Sequence, residues 1–257
     1  MMRFKSLGSG SSGNATLVQS TGRDACNVLI DCGFGIRQMV QRLDVAGVPP
    51  SQLDAIFITH EHGDHTGSVQ ALSSQYNIPV WMSAGTAAAM GFVNDSGLMH
   101  TAADGDVIAI KGLQLSPFTV PHDAREPLQL TCTDGAAKLG VLTDLGHATP
   151  HVLEQLQGCH ALLLECNHDA DLLAASIYPE FLKQRIGGHY GHLANAQSSS
   201  IAGAVLHSGL KHVVAAHLSQ QNNSPALVES ILAQAMSCSA NDIVIASQND
   251  GCPWLSV

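Results

Sequence analysis

Short apolar runs alternate with polar turns along the whole chain, and their periods change three times. Thr16 to Gln19 and Val28 to Asp31 read as strands. A helix follows, with Ile36, Met39, Val40 and Leu43 at i, i+3, i+4 and i+7, and Pro49-Pro50 stops it. Ala55 to Thr59 predicts a strand, Ser68 to Ser74 a helix, and Val80 to Met82 another strand. From Asp106 to Thr143 the helical period disappears. Val107 to Ile110, Leu113 to Phe118, Leu128 to Cys132 and Lys138 to Thr143 predict an antiparallel sheet. Ala161 to Glu165 and His212 to Ala216 return as strands between helices, and Ser224-Pro225 supplies an N-cap and first turn for a last helix. Two α/β stretches around an antiparallel centre predict two sheets packed face to face with helices outside.

No linker, repeat or low-complexity segment divides the 257 residues, so one domain over 1–257 is expected. Hydrophobic residues at 45% and charged ones at 12% supply a core, and no apolar run approaches the roughly 18 to 20 residues that span a bilayer. The reading is a soluble, cytoplasmic protein. Seven cysteines without a C-x-x-C pair are expected to be reduced and mostly buried. With 11 Lys+Arg against 21 Asp+Glu, the formal charge of −10 excludes a broad basic nucleic-acid surface. Any polyanion must be gripped locally. The 14 histidines stand out beside 3 Tyr and 2 Trp and direct attention to metal chemistry.

His60-Glu61-His62-Gly63-Asp64-His65 leaves the end of the strand that closes on Thr59. At this composition H-x-H-x-D-H arises by chance on the order of 0.002 times per sequence, which sets aside a plain polar turn. Imidazoles and a carboxylate on one tight turn suit divalent metals, zinc first, with manganese or iron as alternatives.

The motif resembles that of the metallo-β-lactamase superfamily, and the resemblance implies a four-layer αββα sandwich of the α/β (α+β) class. In that family's order, His122, Asp144 and His217 each stand at a strand end and match its later ligands. The resemblance thus implies two divalent ions, one on His60, His62 and His122, the other on Asp64, His65 and His217, with Asp144 bridging. Asp31 matches an aspartate that supports the metal loop from behind. Two cations about 3.5 to 4 Å apart can share a hydroxide that attacks an electrophile.

Gly8-Ser9-Gly10-Ser11-Ser12-Gly13-Asn14, Glu165 to Asp169, Gly191 to Asn195 and His217 to Asn223 resemble the YycJ-like branch, related to ribonuclease Z and to cyclic-phosphate phosphodiesterases. That implies phosphodiester hydrolysis, with DNA or RNA as substrate and exonuclease action on DNA. Asp64 and His192 are expected to take part in the chemistry, His192 at the leaving group. Ser11, Ser12, Asn14 and Asn195 are expected either to support the ligands from behind or to meet the substrate; a flexible turn and a helix-cap role are the ordinary readings of the Ser/Gly stretch and of His192. A small cyclic phosphodiester, or an acyl substrate such as a thiolester or lactam, suits the same metal centre. A non-enzymatic scaffold has little use for seven ligand positions. Lys183 and Arg185 form the tight basic pair near these motifs, and the remaining histidines read as surface or structural residues.

Overall fold

The computed structural model describes residues 1–92, 94 and 97–257. Fourteen strands among them form two sheets: β1 (Met2–Gly8), β2 (Ala15–Ser20), β3 (Cys26–Ile30), β4 (Ala55–Phe57), β5 (Val80–Met82), β6 (Met99–Thr101), β7 (Ile108–Ile110), β8 (Leu113–Thr119), β9 (Leu128–Thr133), β10 (Lys138–Leu142), β11 (Ala161–Glu165), β12 (His212–Ala216), β13 (Val244–Ile245) and β14 (Leu255–Ser256). The first sheet runs β14-β1-β2-β3-β4-β5-β6 and the second β13-β12-β11-β10-β9-β8-β7. Each begins with antiparallel pairs and continues in parallel ones: β1 to β3 and β7 to β10 are antiparallel, β3 to β6 and β10 to β13 parallel. The antiparallel stretch expected between residues 106 and 143 is β7 to β10.

The α-helices are α1 (Ile36–Val45), α2 (Gly63–Thr66), α3 (Val69–Tyr76), α4 (Ala84–Met90), α5 (Pro150–Leu156), α6 (Ala170–Ala175), α7 (Glu180–Ile186), α8 (Asn195–Ala204) and α9 (Pro225–Met236). The layering follows from strand alternation, because successive side chains point to opposite faces. On β3, Val28 and Ile30 enter the core between the sheets, while Leu29 packs outward with Met39 and Leu43 of α1 and Leu72 of α3. On β11, Ala161 and Leu163 face inward, and Leu162 and Leu164 meet Val152 of α5, Ile201 of α8 and Val228 and Leu232 of α9. Strands covered on both faces must be apolar throughout, hence the unbroken runs. The result is the αββα sandwich.

Two boundaries differ from expectation at the site. The fourth strand ends at Phe57 rather than Thr59, and the third at Ile30, because Asp31 turns with φ 61°. Both shortenings free polar residues at the same sheet edge. No described helix is long and apolar enough to cross a membrane.

Candidate metal centre

Every expected ligand lies just past a strand on one edge of the sandwich. The turn after β4 carries His60 and His62 into the four-residue α2, which holds Asp64 and His65; His122 lies three residues beyond β8, Asp144 two beyond β10, and His217 directly after β12. Four sets of donor atoms lie within 4.8 Å of one another: His60, His62 and His122; Asp64, His65 and His217; His60, His65 and Asp144; and Asp144, Glu165, His192 and His217. Asp144 is common to the last two.

Hydrogen bonds decide which atoms face the centre. The Nδ1 of His122 lies 3.0 Å from the Gly191 carbonyl and that of His217 2.9 Å from the Thr143 carbonyl. A carbonyl only accepts, so these nitrogens carry the proton and leave Nε2 with a lone pair. His65 Nδ1 is held 2.8 Å from Asp31 Oδ2. His62 is reversed: its Nε2 donates to the Asp123 carbonyl at 3.2 Å, and its Nδ1 faces His122 Nε2 at 3.3 Å. Two lone pairs facing each other at that distance call for a cation between them. The buried His60 Nε2 has no hydrogen-bond partner, and neither oxygen of the buried Asp144 has one of good geometry, the nearest nitrogens being those of His65 and His217 at 3.1 and 3.0 Å. Buried polar atoms left in this way are rare, and this set fits a divalent metal.

Charge is distributed unevenly across the cluster. Burial drives His60 well below the ordinary imidazole range and His122 down to about 4, so both are neutral. Burial opposes the charged forms of His65 and His217 too, but the surrounding carboxylates, Asp144 first, with Asp31 at His65 and Asp64 and Glu165 at His217, together raise both well above that range. Against its own burial, Asp144 is kept well below the carboxylate range by His217 and His65. Its oxygens stand 3.1 Å from His65 Nε2 and 3.0 Å from His217 Nδ1.

The supporting residues are drawn from far along the chain. Asp31 Oδ1 accepts from the Thr59 backbone N–H at 2.9 Å and from its hydroxyl at 3.0 Å, tying down the turn that bears the motif. Asn14, buried, has its amide 3.1 Å from His65 Nε2 and accepts on its oxygen from Ser9 and from the Gly10 N–H. Ser9 in turn accepts from the His217 N–H at 2.8 Å, and His217 has φ 54°. The Ser/Gly loop therefore ties the two halves of the cluster together rather than forming a flexible turn.

A cleft of about 330 Å³ opens on the cluster, walled by Ser11, His62, Asp64, Asp144, Arg185 and His192 among others. Ser11 reaches it. Ser12 does not: it is absent from the cleft wall, and its N–H is spent on Gln248 at 2.8 Å. Asn195 is also outside the cleft wall, its amide paired in both directions with Asn223 at 2.9 Å. Both look outward to a distant partner that short-range sequence does not display.

Two residues enter that the sequence reading did not assign. Glu165, fully buried at the end of β11, holds His192 Nδ1 at 2.7 Å and accepts from the Leu145 and Leu193 N–H groups. Burial raises its carboxyl pKa, and Glu165 raises that of His192 against burial. An acidic residue closing the apolar run Ala161 to Leu164 was the available signal. Asp123 links the cluster to Arg185, whose Nε lies 2.6 Å from its Oδ2. The other histidines stay apart: His207 bonds the Cys159 carbonyl, His160 the Lys138 N–H, and His100 stacks on Trp81.

A family model described as the beta-lactamase superfamily domain matches residues 26–218. Exodeoxyribonuclease YycJ of Bacillus anthracis is 29% identical over 240 residues, covering 91% of this chain and 89% of that protein. Exodeoxyribonuclease WalJ of Streptococcus pneumoniae is 30% identical over 227 residues, covering 86% and 83%. The metallo-beta-lactamase fold protein YhfI of Bacillus subtilis superposes with a TM-score of 0.78 over 100% of both chains at 17% identity, a likeness of fold. The chain belongs to the metallo-β-lactamase superfamily and is one of its hydrolases.

Proposed function

We propose that this hydrolase cleaves phosphodiesters at a centre of two divalent cations, zinc first among the candidates, and that its substrate is a nucleic acid. The Asp144 oxygens and His60 Nε2, without hydrogen bonds of good geometry and set amid five other imidazoles, carry the metal reading; likeness to two exodeoxyribonucleases over most of their length carries the substrate class. His60, His62 and His122 would hold one ion, Asp64, His65 and His217 the other, and Asp144 both. Bound ions would supply Lewis-acid charge for a phosphoryl group and lower the pKa of water toward neutrality.

The chain's own residues do the rest. Asp31, bonded to Nδ1, fixes the orientation of His65 and leaves Nε2 for the ion. Asp64 lines the cleft; burial opposes its charge, but His217 and His65 together hold its carboxyl below the ordinary range, so it can accept a proton there. Glu165 keeps a proton on His192 Nδ1 and favours the imidazolium, so His192 can donate a proton to a departing alkoxide from Nε2. The Ser11 hydroxyl and Arg185 offer donors to phosphate oxygens along the wall.

The test is a panel of bis(p-nitrophenyl) phosphate, a thiolester and a lactam, assayed on the metal-loaded chain and again after chelation. Metal-dependent turnover of the phosphodiester is expected. Turnover of the thiolester or lactam alone would overturn the phosphodiester assignment.

A further inference from the structure

We infer that Phe181 and Tyr190 form a stacking surface for unpaired bases of a nucleic-acid strand whose phosphate lies in the cleft; this rests on the phosphodiesterase reading above. The chain has eleven aromatic residues, six Phe, three Tyr and two Trp. Nine are buried or half-buried, whereas Phe181 is 73% exposed and Tyr190 63%. Both exposed residues adjoin, in sequence, residues that line the cleft. Phe181 precedes by one residue Leu182, and by one helical turn Arg185, both of which line it; Tyr190 comes two residues before His192, with its backbone against Gly146, just past Asp144.

The α7 helix that bears Phe181 buries no residue at all. Core packing does not explain a phenyl ring there, and a second exposed ring, that of Tyr190, follows nine residues later beside lining residues of the same cleft. The loop behind it is fixed, with His192 N–H donating to the Ile186 carbonyl at 2.7 Å and Gly191 N–H to that of Gly188 at 3.0 Å. The rings thus stand on an ordered base. Charge selects the occupant. Residues 172–193 contain Lys183 and Arg185, the latter paired with Asp123, against the single acid Glu180, in a chain of net charge −10, so this segment repels a polyanion less than the chain does on average. Aromatic faces beside cations bind single strands through bases and backbone together, with little demand on sequence.

The test is fluorescence anisotropy with the metal-loaded full chain, using a labelled thymidine oligonucleotide and an abasic one of equal length, both with phosphorothioate linkages that resist cleavage. The base-bearing strand should bind more tightly. Phe181→Ala and Tyr190→Ala should each weaken it by about 5- to 100-fold while barely changing the abasic strand, and Phe181→Trp and Tyr190→Trp should preserve the preference. Equal binding of the two strands by the native chain, or equal loss on both in the alanine variants, would overturn the inference. So would alanine variants that convert a dimer to a monomer in sedimentation with the base preference intact, because the rings would then be a contact between copies. Absence of bis(p-nitrophenyl) phosphate hydrolysis by the native chain defeats the phosphodiesterase reading instead, whatever the anisotropy shows.

Discussion

Glu165 shows how much a single buried carboxylate can direct. Its two oxygens hold His192 and two backbone N–H groups, so Glu165→Gln keeps the shape but removes the charge that favours a proton on His192. Activity on an alkoxide-leaving phosphodiester should fall about 10- to 100-fold with metal content unchanged, and far less on a p-nitrophenolate, which leaves without a proton. Equal loss on both substrates would make Glu165 a packing residue. Among the ligands, His217→Ala should leave about one ion per chain by elemental analysis, and retention of two would remove His217 from the centre. The cysteines are governed by burial: Cys26, Cys32 and Cys166 are pushed up to about 12 and Cys159 to about 11 by desolvation, and Cys238 is the exposed one of the seven. Since the thiolate is the nucleophile, iodoacetamide at pH 8 should alkylate Cys238 alone in the native chain and all seven after denaturation, as peptide mass spectrometry would show.

At the scale of elements, the site depends on backbones that approach where a side chain would not fit. A Cβ at Gly33 would lie 1.8 Å from the Asp64 carbonyl oxygen, and one at Gly146 2.0 Å from that of His189. Gly33→Ala should therefore displace the metal-motif turn and lower metal affinity. Gly146→Ala should displace the loop leading to His192, lowering turnover while both ions stay; elemental analysis beside kinetics separates the two, and equal metal loss in both would contradict it. The legibility of the sequence follows the same division. β11 and β3 are readable because both faces are covered and every position must be apolar. β1 alternates Met2 and Phe4 with Arg3 and Lys5, but it is short of flanking strand signals because it runs directly into the Gly/Ser stretch. The two-residue β14 has no local signal, since pairing with β1 makes it a strand. In the site, the H-x-H-x-D-H turn carries its chemistry within six residues. The Ser/Gly loop does not, because Ser9 meets His217 across 208 positions.

For the molecule as a whole, pH acts partly through a residue behind the cleft. His168 is buried, its Nδ1 has no partner, and desolvation lowers its pKa to about 4. An unfolded histidine near 6.5 takes up a proton that the native one refuses, so this contribution to stability is present above pH 6.5 and is lost as pH falls toward 4. The wild type should lose about 1 to 3 kcal/mol more than His168→Gln across that window in chemical denaturation; parallel pH curves would contradict the assignment. The most direct test of the central claim is to titrate the metal-free chain with zinc while following bis(p-nitrophenyl) phosphate hydrolysis. The rate should climb to a plateau at two ions per chain and vanish with chelator. A rate complete at one ion, or one that survives full removal of metal, would contradict the account.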